Sequence, residues 1–258
     1  MGWLIFLIGL IFGSFANVCI YRLPKSKSII SPCSYCPKCN HPILWYDNIP
    51  LLSYIILGGK CRYCKGKISP RYFLVELLTG ILFFLLYQKF HLQPIFFIYI
   101  VFVLSLIIVS FIDIDVFLIP DTIVLSGIIL GLLCSGIFPD LFYEMGRKES
   151  FIYSLSGVIL GGSILLFLGV IGKIMLKKEA MGGGDVKLLA MIGAFTGYKG
   201  VFITVFFGSL LGSIIGLTLI FLKIKKREDY IPFGPYLSVG AIISIFWKGL
   251  CFFDFFIP

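Results

Sequence analysis

Two aspartates carry the chemistry that this sequence most clearly offers. Asp113 lies in Ser110-Phe-Ile-Asp-Ile-Asp-Val-Phe-Leu-Ile-Pro-Asp121, where a long apolar run ends. Asp185 lies in Met181-Gly-Gly-Gly-Asp-Val-Lys187, where another begins. A carboxylate deep in a membrane helix costs roughly 2.5–3.5 kcal/mol on insertion scales, so acids kept in or beside apolar runs are candidates for function. When two carboxyl groups share a site, one holds its proton longer than the other. The ionised member takes a proton from water, and the protonated member polarises a carbonyl or supplies a proton to a leaving amine. Help of this kind is worth about 10²–10⁴-fold per group. It needs no covalent intermediate, and the titration belongs to the pair.

Around Asp185, Gly182, Gly183 and Gly184 offer backbone freedom and no side-chain bulk, the setting of a turn that a peptide strand can approach. A phosphate-binding loop is the poorer reading, because Asp185 would repel phosphate and no Lys-Ser/Thr pair follows. Pro120 and Asp121 read as the start of the next helix, with Asp121 a cap near its positive end. Asp115 either tunes Asp113 or is a solvated helix-end charge. Glu76 is a further acid inside an apolar run. It would pair with Lys or Arg, or receive a cationic group of a substrate. Asn17 is placed to hydrogen-bond between helices.

The cysteines offer a second chemistry. Five of the eight fall in residues 22–70. Cys36-x-x-Cys39 and Cys61-x-x-Cys64 have the spacing of a four-cysteine zinc site, in which each pair reaches one tetrahedral ion. Four protein ligands leave no open position, so the metal would be structural and would supply much of the folding free energy of a small insert. Cys33 and His41 are alternative ligands that the spacing disfavours. Cys19, Cys134 and Cys251 lie in apolar runs, where cysteine packs as a small apolar residue.

The elements that must position these groups are membrane helices. The chain of 258 residues is 59% hydrophobic and 14% charged, against about a quarter charged in soluble domains. Apolar runs at 2–21, 71–88, 94–112, 121–138, 151–176, 186–198, 200–223 and 234–253 approach the roughly 20 residues that cross a bilayer. Each must be helical, because an open strand edge cannot be satisfied in lipid. The expected fold is an all-α polytopic bundle of about eight transmembrane helices: a first helix over 1–21, a cytosolic zinc-binding insert over 22–70, and a membrane-embedded core over 71–258. The run Ile49 to Leu57 is too short to span and should pack on the insert or lie at the interface. Glycines such as Gly157, Gly161, Gly162, Gly208, Gly212 and Gly216 suit close helix packing.

Charge sets the orientation. With the N-terminus outside, segments 22–71, 173–187 and 223–227 face the cytosol and hold 17 of the 22 Lys and Arg residues, as the positive-inside rule requires. The net charge of +9 is therefore a topology signal, and nucleic-acid binding is the poorer reading. The N-terminus has no basic leader segment and no clear cleavage site, and it reads as the first span.

The motifs together resemble one family. Gly182-x-Gly184-Asp185 is similar to the G-x-G-D element of membrane aspartic proteases, which include the prepilin peptidases, the preflagellin peptidases and presenilin. Asp113-x5-Ile119-Pro120-Asp121, Gly13-Ser14-Phe15-x-Asn17-Val18-x-Ile20-Tyr21-Arg22-Leu23-Pro24, the cysteine pairs and Asn48-Ile49-Pro50 resemble the bacterial prepilin peptidases in their order along nearly the whole chain. The resemblance implies that Asp113 and Asp185 are the catalytic pair. It implies removal of a basic leader after glycine, from type IV prepilins or pseudopilins, at the cytosolic face of the bacterial plasma membrane. It also implies N-methylation of the new terminus with S-adenosylmethionine, although the chain carries no glycine fingerprint of a soluble methyltransferase. A transporter or channel would explain the spans and buried acids, and a non-catalytic assembly protein would explain the cysteine insert as a docking module. Neither accounts for both the insert and the glycine-rich approach to Asp185.

Overall fold

A computed structural model describes residues 1–142, 146–176, 182–226 and 229–247. All regular structure among them is helical. The helices are α1 (Gly2–Arg22), α2 (Leu52–Ile56), α3 (Arg71–Phe90), α4 (Pro94–Val116), α5 (Asp121–Ile137), α6 (Arg147–Leu176), α7 (Gly183–Phe221) and α8 (Gly234–Phe246). Five of them, α1, α3, α4, α6 and α7, are long and apolar enough to cross a membrane, and α5 and α8 are shorter apolar helices. The last expected span continues to 253, and residues 248–253 with Cys251 lie outside the described residues.

The chain forms two compact units, Met1–Ile112 and Asp113–Pro258. In the first, α1 packs on α3. The contact is close because it is lined by small residues: a Cβ on Gly9 would lie 2.8 Å from the Gly80 Cα, and one on Gly13 would lie 2.6 Å from the Glu76 Cα. Ala16 and Ile20 bury themselves on this side, while Leu4, Leu7, Ile11 and Phe15 stay exposed on another. A helix that is apolar on its exposed side as well is suited to lipid. In the short helix α2, Ser53 is buried while Leu52, Ile55 and Ile56 are exposed. The outer face of that apolar run is therefore not packed on the insert.

In the second unit α7 is central and packs on α5, α6 and α8. Gly157 and Gly161 of α6 lie directly against the backbone of α7 at Gly193 and Leu189. Gly162 and Gly216 sit at ordinary contact distance, so they are not required for close approach. The sequence separates 186–198 from 200–223, and the structure runs the two together as α7 with a break at Gly197 (φ 67°, ψ −178°). The Tyr153 ring fills the space where a side chain at Gly197 would project. Glycine is the residue that meets both demands, a positive φ and no Cβ.

Candidate active site and cysteine centre

Helix α4 continues one turn past the expected end at 112, so Asp113 lies in its last turn. Asp113 is 6% exposed. Its Oδ2 accepts a hydrogen bond from the backbone N–H of Gly234 at 3.0 Å. Gly234 is the first residue of α8, and Pro235 follows it. The first N–H groups of a helix have no intrahelical acceptor and are ready donors to an anion. A Cβ on Gly234 would stand 2.7 Å from the same oxygen, so the missing side chain makes this contact possible. The sequence reading overlooked Gly234. The legible signal was a glycine before proline where an apolar run begins.

Asp185 is half-buried in the first turn of α7 and lies within Coulombic reach of Asp113. The glycines before it act differently from the flexible turn expected of them. Gly183 and Gly184 are already helical, and Gly182 is the N-cap with an ordinary extended backbone (φ −74°, ψ 139°). No residue of the three has a positive φ. Their value lies in space. A Cβ on Gly184 would come within 2.9 Å of the Ile119 Cβ, and one on Gly182 within 3.3 Å of Asp185 Oδ2, while one on Gly183 would meet nothing within 4 Å. This matches the G-x-G-D pattern, with Gly183 as the free position.

Two contacts hold the segment after Asp113 against the start of α7. Ile119 packs on Gly184. Lys187 Nζ donates to Asp121 Oδ1 at 2.7 Å and to Oδ2 at 2.9 Å. Asp121 therefore serves differently from the cap expected of it. Pro120 occupies the N-cap position, Asp121 is the first helical residue, and no side-chain cap forms. Asp115 is exposed, and residues two apart on a helix do not face one another.

In the first unit the two cysteine pairs form matching loops. Tyr35 bridges Pro42 across Cys36–Cys39, and Lys60 bridges Lys67 across Cys61–Cys64. Cys36 N–H donates to His41 O and Cys61 N–H to Gly66 O, both at 2.9 Å. In each loop the residue after the second cysteine, Asn40 or Lys65, takes a left-handed φ (56° and 55°). The sequence shows no convincing repeat, and this duplication is visible only in the backbone. The four Sγ atoms lie within 4.8 Å of one another, with Cys36 and Cys64 Sγ 3.8 Å apart. A tetrahedral ion with sulfur ligands at about 2.3 Å needs edges of about 3.8 Å, so the cage is close to the size of a zinc site. Backbone N–H groups of Cys64 and Tyr63 bring the Cys61 thiol down to about 7, whereas the Cys39 thiol is raised to about 11, so the pull toward the thiolate form that ligates metal is not shared by Cys39. Cys33 is exposed outside this cluster, and the His41 ring lies on Tyr63. Arg62 makes a two-pronged contact with Asp47 at 2.6–3.1 Å and holds that carboxyl below the usual carboxylate range.

Glu76, on α3, is buried. It accepts the Leu51 N–H at 2.9 Å and the Ser14 hydroxyl. Leu51 holds a left-handed φ of 60° just after Asn48-Ile49-Pro50, and the bond to Glu76 helps to hold that conformation. Asn17 donates from Nδ2 to Tyr72 O at 3.0 Å, so it does bond across helices. The N-terminal signature thus has a physical account: Gly13 lets α3 approach, Ser14 reaches Glu76, and Asn17 ties α1 to Tyr72.

A family model described as the Bacterial Peptidase A24 N-terminal domain matches residues 7–90, and one described as the Type IV leader peptidase family matches residues 100–217. Among curated proteins, the chain is 35% identical to a prepilin leader peptidase/N-methyltransferase of Pseudomonas aeruginosa, over 93% of this chain and 88% of that one. It is 36% identical to the protein of that name from Aeromonas hydrophila (95% and 90% covered) and 34% identical to that from Neisseria gonorrhoeae (92% and 87%). No solved structure matches the chain.

Proposed function

The chain belongs to the type IV leader peptidase family, and from that premise we propose that it is a membrane aspartic endopeptidase with Asp113 and Asp185 as its catalytic pair. Its substrates are type IV prepilins or pseudopilins, cut after glycine to remove a basic leader. The observation that carries this reading is the anchoring of both acids. Asp113 is held by the Gly234 N–H, and the segment after it is tied to the first turn of α7, where Asp185 sits. Two acids fixed at helix ends can divide the work of acid and base on one water. The fixed donor from Gly234 keeps Asp113 Oδ2 in one place, so that its other oxygen remains for water or the scissile carbonyl. Gly182 and Gly184 support the pair by their small size.

Eight spans with the N-terminus outside, α7 counting as two on either side of Gly197, place the positively charged segments and both aspartates on the cytosolic side of the bacterial plasma membrane. Cys36, Cys39, Cys61 and Cys64 hold a structural Zn²⁺ that shapes the insert. The chain also N-methylates the newly exposed residue, as the names of its relatives state for them. S-adenosylmethionine supplies the methyl group: as a neutral terminal amine forms its N–C bond, the C–S bond breaks, a neutral thioether leaves and one proton is released.

The test is cleavage of a purified cognate prepilin by the wild-type protein and by Asp113→Ala and Asp185→Ala. Both variants should lose cleavage while retaining normal expression and metal content. Leader removal by either one at a wild-type rate defeats the two-aspartate mechanism.

A further inference from the structure

Neither the aspartates nor the cysteine cage accounts for the apolar face of α2 and of the turn before it. Trp45, Leu52, Ile55 and Ile56 are 80%, 57%, 63% and 75% exposed. Leu52, Ile55 and Ile56 are three and four positions apart, on one side of the helix. The Ser53 hydroxyl donates to Tyr46 O at 3.0 Å, which ties the turn Trp45–Asn48 to α2. Large apolar side chains gathered in this way mark a contact surface.

The depth of the segment says what that surface meets. The insert joins two helices long and apolar enough to cross a membrane, α1 ending at Arg22 and α3 starting at Arg71. Basic residues at such ends stand at the headgroup level. The segment does not stay at that level. Leu51 N–H donates to Glu76 at 2.9 Å, and the Tyr54 ring lies 5.6 Å from the Phe73 ring. At 1.5 Å per residue, Glu76 stands about 7.5 Å inward from Arg71 along α3. Ser14, which reaches the same carboxylate, stands about 12 Å inward from Arg22 along α1. The chain therefore turns into α2 beside the first turns of α3, not beyond its end. Helices that lie in a membrane interface bury their apolar face about 5–10 Å deep.

The other side of the segment has a different character. Asn48, Ser53, Tyr54 and Leu57 line a cavity of about 450 Å³ that reaches the cysteine loops, while Trp45, Leu52, Ile55 and Ile56 take no part in it. Arg22, Arg71, Glu76 and Asn17 line the same cavity, and Asn17 Oδ1 is buried there without a hydrogen-bond partner. The segment is thus a wall, polar on its cavity side and apolar on its outer side. The charge around it suits a lipid surface. Residues 22–71 hold nine Lys and Arg against one acid, Asp47, which Arg62 already engages, and membrane phosphates attract such clusters.

We infer that residues 45–57 re-enter the leaflet beside α3, with Trp45, Leu52, Ile55 and Ile56 seated among lipid chains. The outer face continues the lipid-facing surface of α1 and α3. Glu76 is a positioning residue for this re-entry. Its carboxylate takes the Leu51 N–H, which at this depth has no water to bond, and so holds the segment down against α3.

The experiment reads tryptophan emission from the full chain in nanodiscs. Their phosphatidylcholine carries bromine either high on the acyl chain or near its methyl end, and acrylamide is the quencher from water. Trp45 is native, and its share of the emission is the difference between wild type and Trp45→Phe, so this reading needs no new side chain. Ile55→Trp, made in the Trp45→Phe background, reports on α2 itself. Emission from both positions should be lost to the shallow bromine, less to the deep one, and little to acrylamide. Ile30→Trp is the control. Ile30 is 89% exposed, and Arg22 donates to Ser28 O and Pro32 O on either side of it, which keeps it at the level of the span end. Position 30 should lose its emission to acrylamide instead. Glu76→Ala should move Ile55→Trp from lipid quenching toward acrylamide quenching, and Glu76→Gln, which keeps an acceptor, should restore the lipid quenching. Acrylamide quenching of Trp45 and Ile55→Trp with no effect of brominated lipid overturns the inference, because the face then lies in water. Protection from both quenchers overturns it as well, because the face is then covered by protein. The same balance of lipid and aqueous quenching at positions 30 and 55 also overturns it, as does identical quenching in Glu76→Ala and Glu76→Gln.

Discussion

The bond between Gly234 and Asp113 gives the sharpest test of the active-site reading, through Gly234→Ala. Gly234 has helical geometry at the start of α8 and is absent from the residues of positive φ, so alanine suits its backbone. The perturbation is purely local. The new Cβ would stand 2.7 Å from Asp113 Oδ2, whereas carbon and oxygen ordinarily approach to about 3.3 Å. The carboxylate must therefore retreat by about 0.6 Å. A direct retreat stretches the present N–H···O distance of 3.0 Å to about 3.6 Å, beyond hydrogen-bond range. Asp113 is buried, so water does not readily replace the lost donor. A hydrogen bond to a charged group contributes about 1.5–3 kcal/mol. If that support acts mainly in the transition state, kcat for leader cleavage falls by about 10- to 150-fold with little change in KM. The assay is the gel shift of purified prepilin with detergent-solubilised enzyme, followed over a substrate series. Gly216→Ala is the control, because its Cβ would meet only Ile231 Cδ1 at 3.5 Å. It makes the same chemical change in a helix and should leave cleavage near wild type. Wild-type kcat in Gly234→Ala, or a rise in KM alone, refutes the claim that this N–H positions a catalytic acid.

The glycines before Asp185 give a paired comparison. Gly184→Ala sets a Cβ 2.9 Å from the Ile119 Cβ, while Gly183→Ala meets nothing within 4 Å; overpacking costs the first about 1–3 kcal/mol of stability and shifts the turn that carries Asp185, so cleavage should fall in the first and hold in the second. Equal activity in the two variants would mean that the spacing of this motif is not set by Ile119. For the cysteine cage, metal analysis should find one zinc per chain, lost in Cys36→Ser and Cys61→Ser and kept in Cys33→Ser. Structural zinc contributes about 10–16 kcal/mol of apparent binding free energy in small domains, so chelation should expose residues 34–68 to proteolysis, and an insert equally resistant without metal would show that the cage is not what folds it.

What the sequence made legible was local in character. Hydropathy located the helices to within a turn at most ends. The Cys-x-x-Cys spacing singled out four thiols that the fold does gather within 4.8 Å. In the glycine run the lack of bulk is legible and the backbone freedom is not used, because composition reports that a residue is small without saying which neighbour needs the space. Gly184 is required by Ile119, which lies 65 positions earlier in the chain. Gly234 escaped notice for the same reason: it is 121 residues from the aspartate it serves, and no periodicity links them. The unmet acceptor on Asn17 was equally hidden, because only the bond from its Nδ2 to Tyr72 shows which side of the amide remains without a partner.

The division of the chain sharpens the functional argument. The groups that hold Asp113 and Asp185, namely Ile119, Asp121, Lys187 and Gly234, all belong to the unit Asp113–Pro258. The cage, the 450 Å³ cavity, Asn17 and Glu76 all belong to Met1–Ile112. Each unit thus closes its own network of contacts around its own polar groups. A single catalytic centre would not require a second set of buried, incompletely satisfied side chains, since such groups are costly unless something completes them.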